Sequence, residues 1–331
     1  MSKVSVLGAG GWGLALSLAA LHAGNSVTVW SPFAEEVKTL LNDRESRLLS
    51  GVKIPSKVKI TDDLSSIVGS DITMIATPSV AVRETAARIK GLDCGIIVNV
   101  SKGIEYGTLY TLLQVIEEEL PDAKTAVLSG PSHAEEVARG IETSLVASSA
   151  SRKVAETVQD IMSSDKLRIY TNDDTVGVEL GGAFKNIIAI AVGICDGMNL
   201  GDNTRAALMT RGLTEIARLG TRMGARDSTF AGLTGMGDLI VTCTSRHSRN
   251  RRFGELLGKG VPVGEALATV GTVEGYYAVK AAHALEREYY TDLPIIELCY
   301  KIMYEGLSAT DAVRMLMDRP NRKESDQSWI K

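Results

Sequence analysis

The sequence predicts an α/β fold: a doubly wound parallel sheet over residues 1–180, then an all-helical domain over residues 181–331. Three observations carry this. At 331 residues the chain exceeds one typical core, so two domains are expected. Up to about Tyr170, short β-branched runs alternate with helical stretches, and several runs are apolar at successive positions, as in parallel strands buried on both faces. Beyond Asn172 the apolar spacing becomes threes and fours, with few β-branched runs.

The strand-like runs occupy residues 4–7, 27–30, 72–76, 96–100, 126–128 and 145–147. Between them, residues 14–23, 80–89 and 109–120 carry helical spacing, the last stopping at Pro121, which cannot continue a helix comfortably. Asp173 and Asp174 both suit the N-cap of a long helix from Val176 to about Cys195. Further helical segments are read at 208–219, 253–257, 278–285 and 309–316, and the polar end, 321–331, is expected to fray.

An apolar content of 44% with 23% charged residues is that of an ordinary globular chain. The net charge of -4 gives no bulk attraction to nucleic acid or acidic membranes, so any anion must be caught by a local cluster. Cys94, Cys195, Cys243 and Cys299 lie far apart without C-x-x-C spacing, which suggests neither a disulfide framework nor a zinc site and fits a reducing compartment. The N-terminus lacks the apolar core of a signal peptide, and the longest apolar run, 187–194, falls far short of the ~20 residues that span a bilayer. The chain is therefore expected to be soluble and cytoplasmic, with no membrane insertion.

The first strand runs directly into Gly8-Ala9-Gly10-Gly11-Trp12-Gly13, a G-x-G-x-x-G loop that opens a helix rich in Ala and Leu. Gly8 permits the tight turn, Gly10 lets the backbone approach a pyrophosphate, and Gly13 lets the helix pack on the strand. The helix N-terminus offers N–H groups and partial positive charge to the phosphates. This is the dinucleotide-binding arrangement of a Rossmann domain, and the expected cofactor is NAD or NADP. The second strand ends in Trp30-Ser31-Pro32-Phe33, with no acid for a ribose 2′-hydroxyl and no arginine for a 2′-phosphate. Glu35 and Glu36 follow closely but read as a solvated helix face, so the choice between NAD and NADP stays open.

Hydride transfer to a carbonyl needs a proton donor and groups that fix the rest of the substrate. Lys102 follows a buried strand, at the carboxyl end of the sheet where ligands bind, although on its own segment it could be a surface lysine. Lys185 stands in Gly181-Gly182-Ala183-Phe184-Lys185-Asn186, flanked by apolar residues inside a helical pattern. The adjacent glycines cost roughly 1 kcal/mol each relative to alanine, which implies close approach by a cofactor or another helix. Partial burial and neighbouring cations would lower the Lys185 pKa toward the ~7–8 useful for acid–base work; the alternative is a snorkelling lysine. The third segment, Ser245-Arg246-His247-Ser248-Arg249-Asn250-Arg251-Arg252, joins four arginines to a helix start and suits a phosphate. Overall acidity and the lack of interleaved aromatics argue against nucleic acid there, and His247 reads as a surface residue.

Taken together, Gly8–Gly13, Val100-Ser101-Lys102-Gly103, Ser129-Gly130-Pro131-Ser132-His133-Ala134, Leu180–Asn186, Gly235-Met236-Gly237-Asp238-Leu239, Ser248–Gly254 and Val273-Glu274-Gly275-Tyr276 make the chain resemble bacterial-type NAD(P)-dependent glycerol-3-phosphate dehydrogenase over essentially its whole length. The resemblance implies reversible NAD(P)H-dependent reduction of dihydroxyacetone phosphate to sn-glycerol 3-phosphate, the phospholipid backbone precursor. It implies that Lys185 is the proton donor and acceptor and that Lys102 contacts both substrate and cofactor. Gly130, Ser132, Asp238, Ser248, Arg249 and Asn250 fall on substrate positions, with Asn186 and Thr242 on further polar positions beside them. Gly11, Trp12, Ala134, Arg249, Val273 and Glu274 fall on cofactor positions, as do Gly8, Gly10, Gly13 and the strand-end pair Pro32 and Phe33. This chain departs from the family at Pro32-Phe33, where a basic or polar residue is common, and at Arg47-Leu48-Leu49-Ser50-Gly51. The partners implied are a small phosphate substrate and, as an admissible assembly, a homodimer. The rival readings are a β-hydroxyacid or 6-phosphogluconate dehydrogenase, whose carboxylate-binding motif is not found, and a non-catalytic NAD(P)-binding regulator.

Overall fold

Val4, Val6, Leu7, Val29, Ile72, Met74, Ile75 and Val98 have no solvent-exposed surface, as strands covered on both faces require. In the computed structural model, which describes residues 1–321, 323 and 324, these strands belong to one eight-stranded sheet. The end expected to fray, 321–331, lies mostly outside the described residues.

In chain order the elements are β1 (Lys3–Leu7), α1 (Gly11–His22), β2 (Ser26–Trp30), α2 (Ala34–Asp43), β3 (Lys59–Thr61), β4 (Ile72–Ile75), α3 (Val82–Arg88), β5 (Ile96–Asn99), α4 (Leu112–Glu119), β6 (Lys124–Ser129), α5 (Ala134–Ala138), β7 (Thr143–Ser148), α6 (Arg152–Met162) and β8 (Leu167–Asn172). There follow α7 (Thr175–Gly197), α8 (Gly201–Arg222), α9 (Asp227–Phe230), α10 (Asp238–Thr244), α11 (Arg249–Gly258), α12 (Val263–Val270), α13 (Glu274–Glu288), α14 (Pro294–Tyr304) and α15 (Ala309–Met317).

The strand order is β3-β2-β1-β4-β5-β6-β7-β8, with all neighbours parallel except β6 and β7. The order in which strands are added reverses between β1 and β4, which makes their carboxyl ends the crevice where such sheets take ligands. Register brings those ends level: Leu7 lies beside Trp30 and Ile75, and Ile75 beside Asn99. Helices α1, α2, α5 and α6 cover one face and α3 and α4 the other, giving two apolar cores.

The sequence pattern missed β3 and β8. β3 is only three residues long, and β8 alternates buried Leu167 and Ile169 with exposed Arg168 and Tyr170, a one-sided edge strand unlike its neighbours. The helix expected from residue 109 starts at Leu112, because Thr111 caps it in a reciprocal box with Gln114. Leu109 itself has φ of 60°. Of the two acids before α7, Asp174 is the cap and Asp173 instead pairs with Arg226.

Asp174 does more than cap. One oxygen accepts from Gly177 N at 2.9 Å; the other accepts from Arg226 N at 2.8 Å and Thr229 Oγ1 at 2.6 Å. Asp174→Ala removes a cap and strands two donors, so a loss of about 2–4 kcal/mol is expected. A lower urea midpoint at unchanged slope would register it; an unchanged midpoint would mean that water replaces these bonds.

α7 forms the axis of the second half. It runs through the 180/181 division, and from Leu180 onward its apolar residues join the C-terminal core. It is long and apolar enough to cross a membrane, but its apolar stretch is entirely buried by neighbouring elements. Gly193 and Gly197 face Gly254 and Gly258 of α11. A Cβ on Gly193 would lie 2.0 Å from Arg251 O, and one on Gly254 would lie 2.1 Å from Ile190 O. The two backbones therefore touch, as only glycines allow. The partners advance together along both helices, so the helices run in the same direction and Asn186 lies level with Asn250.

Candidate active site

The glycine loop sits at the reversal point. Gly8 has φ of +118°, a conformation L side chains rarely adopt, and a Cβ there would lie 2.7 Å from Ala76 O. A Cβ on Gly13 would lie 2.1 Å from Gly8 O, whereas no atom lies within 4 Å of that point above Gly10. No side chain caps α1 at Gly10. A free helix N-terminus beneath clear space fits the pyrophosphate of a dinucleotide. Trp12 Nε1 donates to Val100 O at 3.1 Å, tying the loop to the end of β5. Leu48, in the short helical turn Arg47–Leu49, leans over Gly11, its carbonyl 2.7 Å from where a Cβ would be.

Lys102 comes from the β5 end, Gly130 and Ser132 from the β6 end, Lys185 and Asn186 from α7, and Asp238 and Thr242 from α10. The structure brings them together. Asp238 is wholly buried; one oxygen takes Lys102 Nζ at 2.6 Å and the other takes Lys185 Nζ. Lys185 Nζ also donates to Thr242 Oγ1 at 2.7 Å, one helical turn beyond Asp238. Lys102 Nζ donates to Gly130 O at 3.2 Å, the carbonyl that also accepts from Ser132 Oγ at 2.9 Å.

Lys185 retains 7% of its surface. Burial in a low-dielectric site lowers its pKa to about 7, against the attraction of Asp238 and with the repulsion of Lys102. With its ammonium enclosed between Asp238 and Thr242, Lys185 does not snorkel. His133 is held below its ordinary value, chiefly by burial.

The glycine pair on α7 has separate uses. A Cβ on Gly181 would lie 2.6 Å from Thr234 O in the wide helical turn Leu233–Gly237, and one on Gly182 would lie 3.1 Å from Ser129 Oγ and 3.5 Å from the Lys102 stem. Gly182 thus leaves Lys102 its passage.

Ser248 caps α11 through its hydroxyl, which accepts from Arg251 N at 3.2 Å, so Arg249 and Asn250 stand in the helix's first turn. Asn250 Nδ2 donates to Asn186 Oδ1 at 2.9 Å, and its Oδ1 accepts from Gly275 N at 2.9 Å, joining α7, α11 and α13. Among the described residues, Arg249 is exposed and its side chain makes no hydrogen bond or ion pair. Arg251, one of the four arginines of that segment, goes instead to Asp196 at 2.6 Å. Val273 is buried, and Glu274 takes a hydrogen bond from Ser79 Oγ at 3.2 Å. Burial raises the Glu274 pKa, while Ser79 and Arg249 pull it down. Ala134 begins α5 beside the β6 end. Pro32 and Phe33 lie exposed after β2, with 67% of Phe33 open to solvent. Ser79 gave no signal in the sequence, and His133 and Leu48 appeared there only inside longer motif runs, with no role of their own.

Two family models match, described as NAD-dependent glycerol-3-phosphate dehydrogenase N-terminus, over residues 3–155, and C-terminus, over residues 174–314. A glycerol-3-phosphate dehydrogenase of Clostridium perfringens is 48% identical over 329 residues, covering 98% of this chain and 99% of that protein. One from Moorella thermoacetica is 48% identical, with 97% of each covered. The crystal structure of glycerol-3-phosphate dehydrogenase from Coxiella burnetii superposes with a TM-score of 0.91 at 38% identity, covering 96% of this chain and 99% of that one. Matched along both halves, the chain belongs to the NAD-dependent glycerol-3-phosphate dehydrogenase family.

Proposed function

We infer that this chain interconverts dihydroxyacetone phosphate and sn-glycerol 3-phosphate with NAD(P), and that Lys185 gives and takes the proton. The observation that carries the proton role is the buried Lys185 ammonium, tuned to about 7 and held between Asp238 and Thr242. When bound, the reduced nicotinamide supplies a hydride to C2 of the substrate. Lys185 Nζ then places its proton on the C2 oxygen, and Asp238 steadies the charge that comes and goes. Lys102 offers a second cation at the sheet side of the pocket. Arg249, unpaired at the start of α11, is suited to grip the phosphate with the helix N-terminus behind it. Asn186 Nδ2 donates to no protein group among the described residues and is available to a substrate hydroxyl. The glycine loop from Gly8 to Gly13, with Trp12, Pro32, Phe33, Ala134, Val273 and Glu274 around it, takes the cofactor. Residues 1–180 then carry most of the cofactor contacts and the domain from residue 181 most of the substrate contacts, the break falling inside α7. Four buried free thiols suit a reducing cytoplasm.

The test is steady-state reduction of dihydroxyacetone phosphate beside 2-ketoacids and β-hydroxyacids across pH. Reduction needs the Lys185 ammonium, so its kcat/KM falls as pH rises above about 7. Oxidation of glycerol 3-phosphate needs the free amine and rises through the same region before levelling. Turnover confined to the acids would overturn the substrate, and identical pH limbs in both directions would overturn the role of Lys185.

A further inference from the structure

We propose that Glu36 reads the ribose 2′-hydroxyl of the cofactor and makes the enzyme select NAD(H) over NADP(H); this rests on the cofactor site inferred above. The end of β2 adjoins the glycine loop, since Gly8 N donates to Trp30 O at 2.8 Å. In Rossmann sheets an acid at this strand end accepts from the 2′-hydroxyl. The strand supplies none here, but α2 returns one. Ser31, itself buried, donates its hydroxyl to Glu36 Oε2 at 2.5 Å and accepts from Phe33 N at 3.3 Å. That bond folds the Glu36 side chain back from the helix over the strand end and leaves Oε1 as an acceptor.

The charge around it points the same way. Glu35, Asp43 and Glu45 share the groove beside α2 with Glu36, against Arg47 and Lys53. Lys53 is taken by Glu45 at 3.0 Å. A 2′-phosphate brings about two negative charges to a carboxylate already fixed in place, whereas a hydroxyl donates to it. Arg47 is the one cation of that groove, among the described residues, without a charged partner, so it is the residue that could reverse the preference.

Direct titration of cofactor binding, followed by nicotinamide fluorescence without substrate, tests this on the intact enzyme. NADH is expected to bind about tenfold or more tightly than NADPH. Glu36→Gln is expected to shrink that ratio about tenfold, tightening NADPH and weakening NADH as the charged acceptor is lost. Arg47→Ala should leave the ratio as it is. Equal or tighter binding of NADPH by the wild type, an unchanged ratio in Glu36→Gln, or a selective loss of NADPH in Arg47→Ala would each overturn the proposal while leaving the cofactor site standing. Failure of the wild type to bind either nucleotide would overturn the site and the proposal with it.

Discussion

Lys185→Ala is expected to lower kcat for dihydroxyacetone phosphate reduction by about 10²–10⁴-fold, the usual worth of a positioned acid or base. NADH binding should change little, because the glycine loop lies on the sheet and Lys185 on α7. The loss goes beyond one missing proton. Asp238 is wholly buried and shared by two lysines, so removing one leaves Lys102 as its only cationic partner among the described residues. Lys102 should then be drawn toward Asp238, which disturbs its approach to the substrate. The effects of Lys185→Ala and Lys102→Ala should consequently fall short of additivity in the double variant. Stopped-flow single turnovers with NADH already bound would isolate the chemical step, and near-normal turnover by Lys185→Ala would remove it from the mechanism.

For Arg249→Ala the expected result is a rise of about 10–100-fold in KM for dihydroxyacetone phosphate. A hydrogen bond to a charged group contributes about 1.5–3 kcal/mol, and each 1.4 kcal/mol is about tenfold. Arg249 makes no side-chain hydrogen bond or ion pair among the described residues, so truncation removes only its attraction to Glu274 and stability should hold. Arg249→Lys should recover part of the affinity, keeping the charge but losing the fork that matches phosphate. An unchanged KM with a folded variant would place the phosphate elsewhere. A fall in kcat with constant KM would instead assign Arg249 to the transition state alone.

Much of this was legible in the residues, for identifiable reasons. Strands covered on both faces announce themselves as apolar runs, and the β1–loop–α1 unit has a fixed glycine spacing. β8 escaped because a one-sided edge strand carries only half that signal, and β3 because three residues carry no period. Lys185 stood out as a lysine inside an apolar helical pattern and Lys102 as one at the sheet's carboxyl end, whereas Arg249 was one of four arginines, singled out only by the family resemblance. What the sequence did not convey was who faces whom: Asp238 bridging both lysines joins residues 136 and 53 positions apart. Glu36 was read with Glu35 as part of a solvated face; Glu35 is exposed, while Glu36 is half-buried and accepts from the Ser31 hydroxyl, a contact its helical position does not announce. Of the four arginines near α11, Arg251 is claimed by Asp196.

The backbone contact between α7 and α11 sets a gauge. Lys185 lies eight residues before Gly193, and Arg249 five before Gly254, so both functional groups hang from one seam within about 12 Å of it along their helices. A seam made of main chain has no rotamers to adjust. The Cα-to-Cα span from Lys185 to Arg249 is therefore set by the backbone. With Lys185 and Arg249 in the roles inferred for them, phosphorylated ketones with a longer or shorter carbon chain are expected to be reduced less well than dihydroxyacetone phosphate. On the same reading, a change of substrate length calls for a change in the helix seam, whereas the proposed change of cofactor preference calls for one side chain.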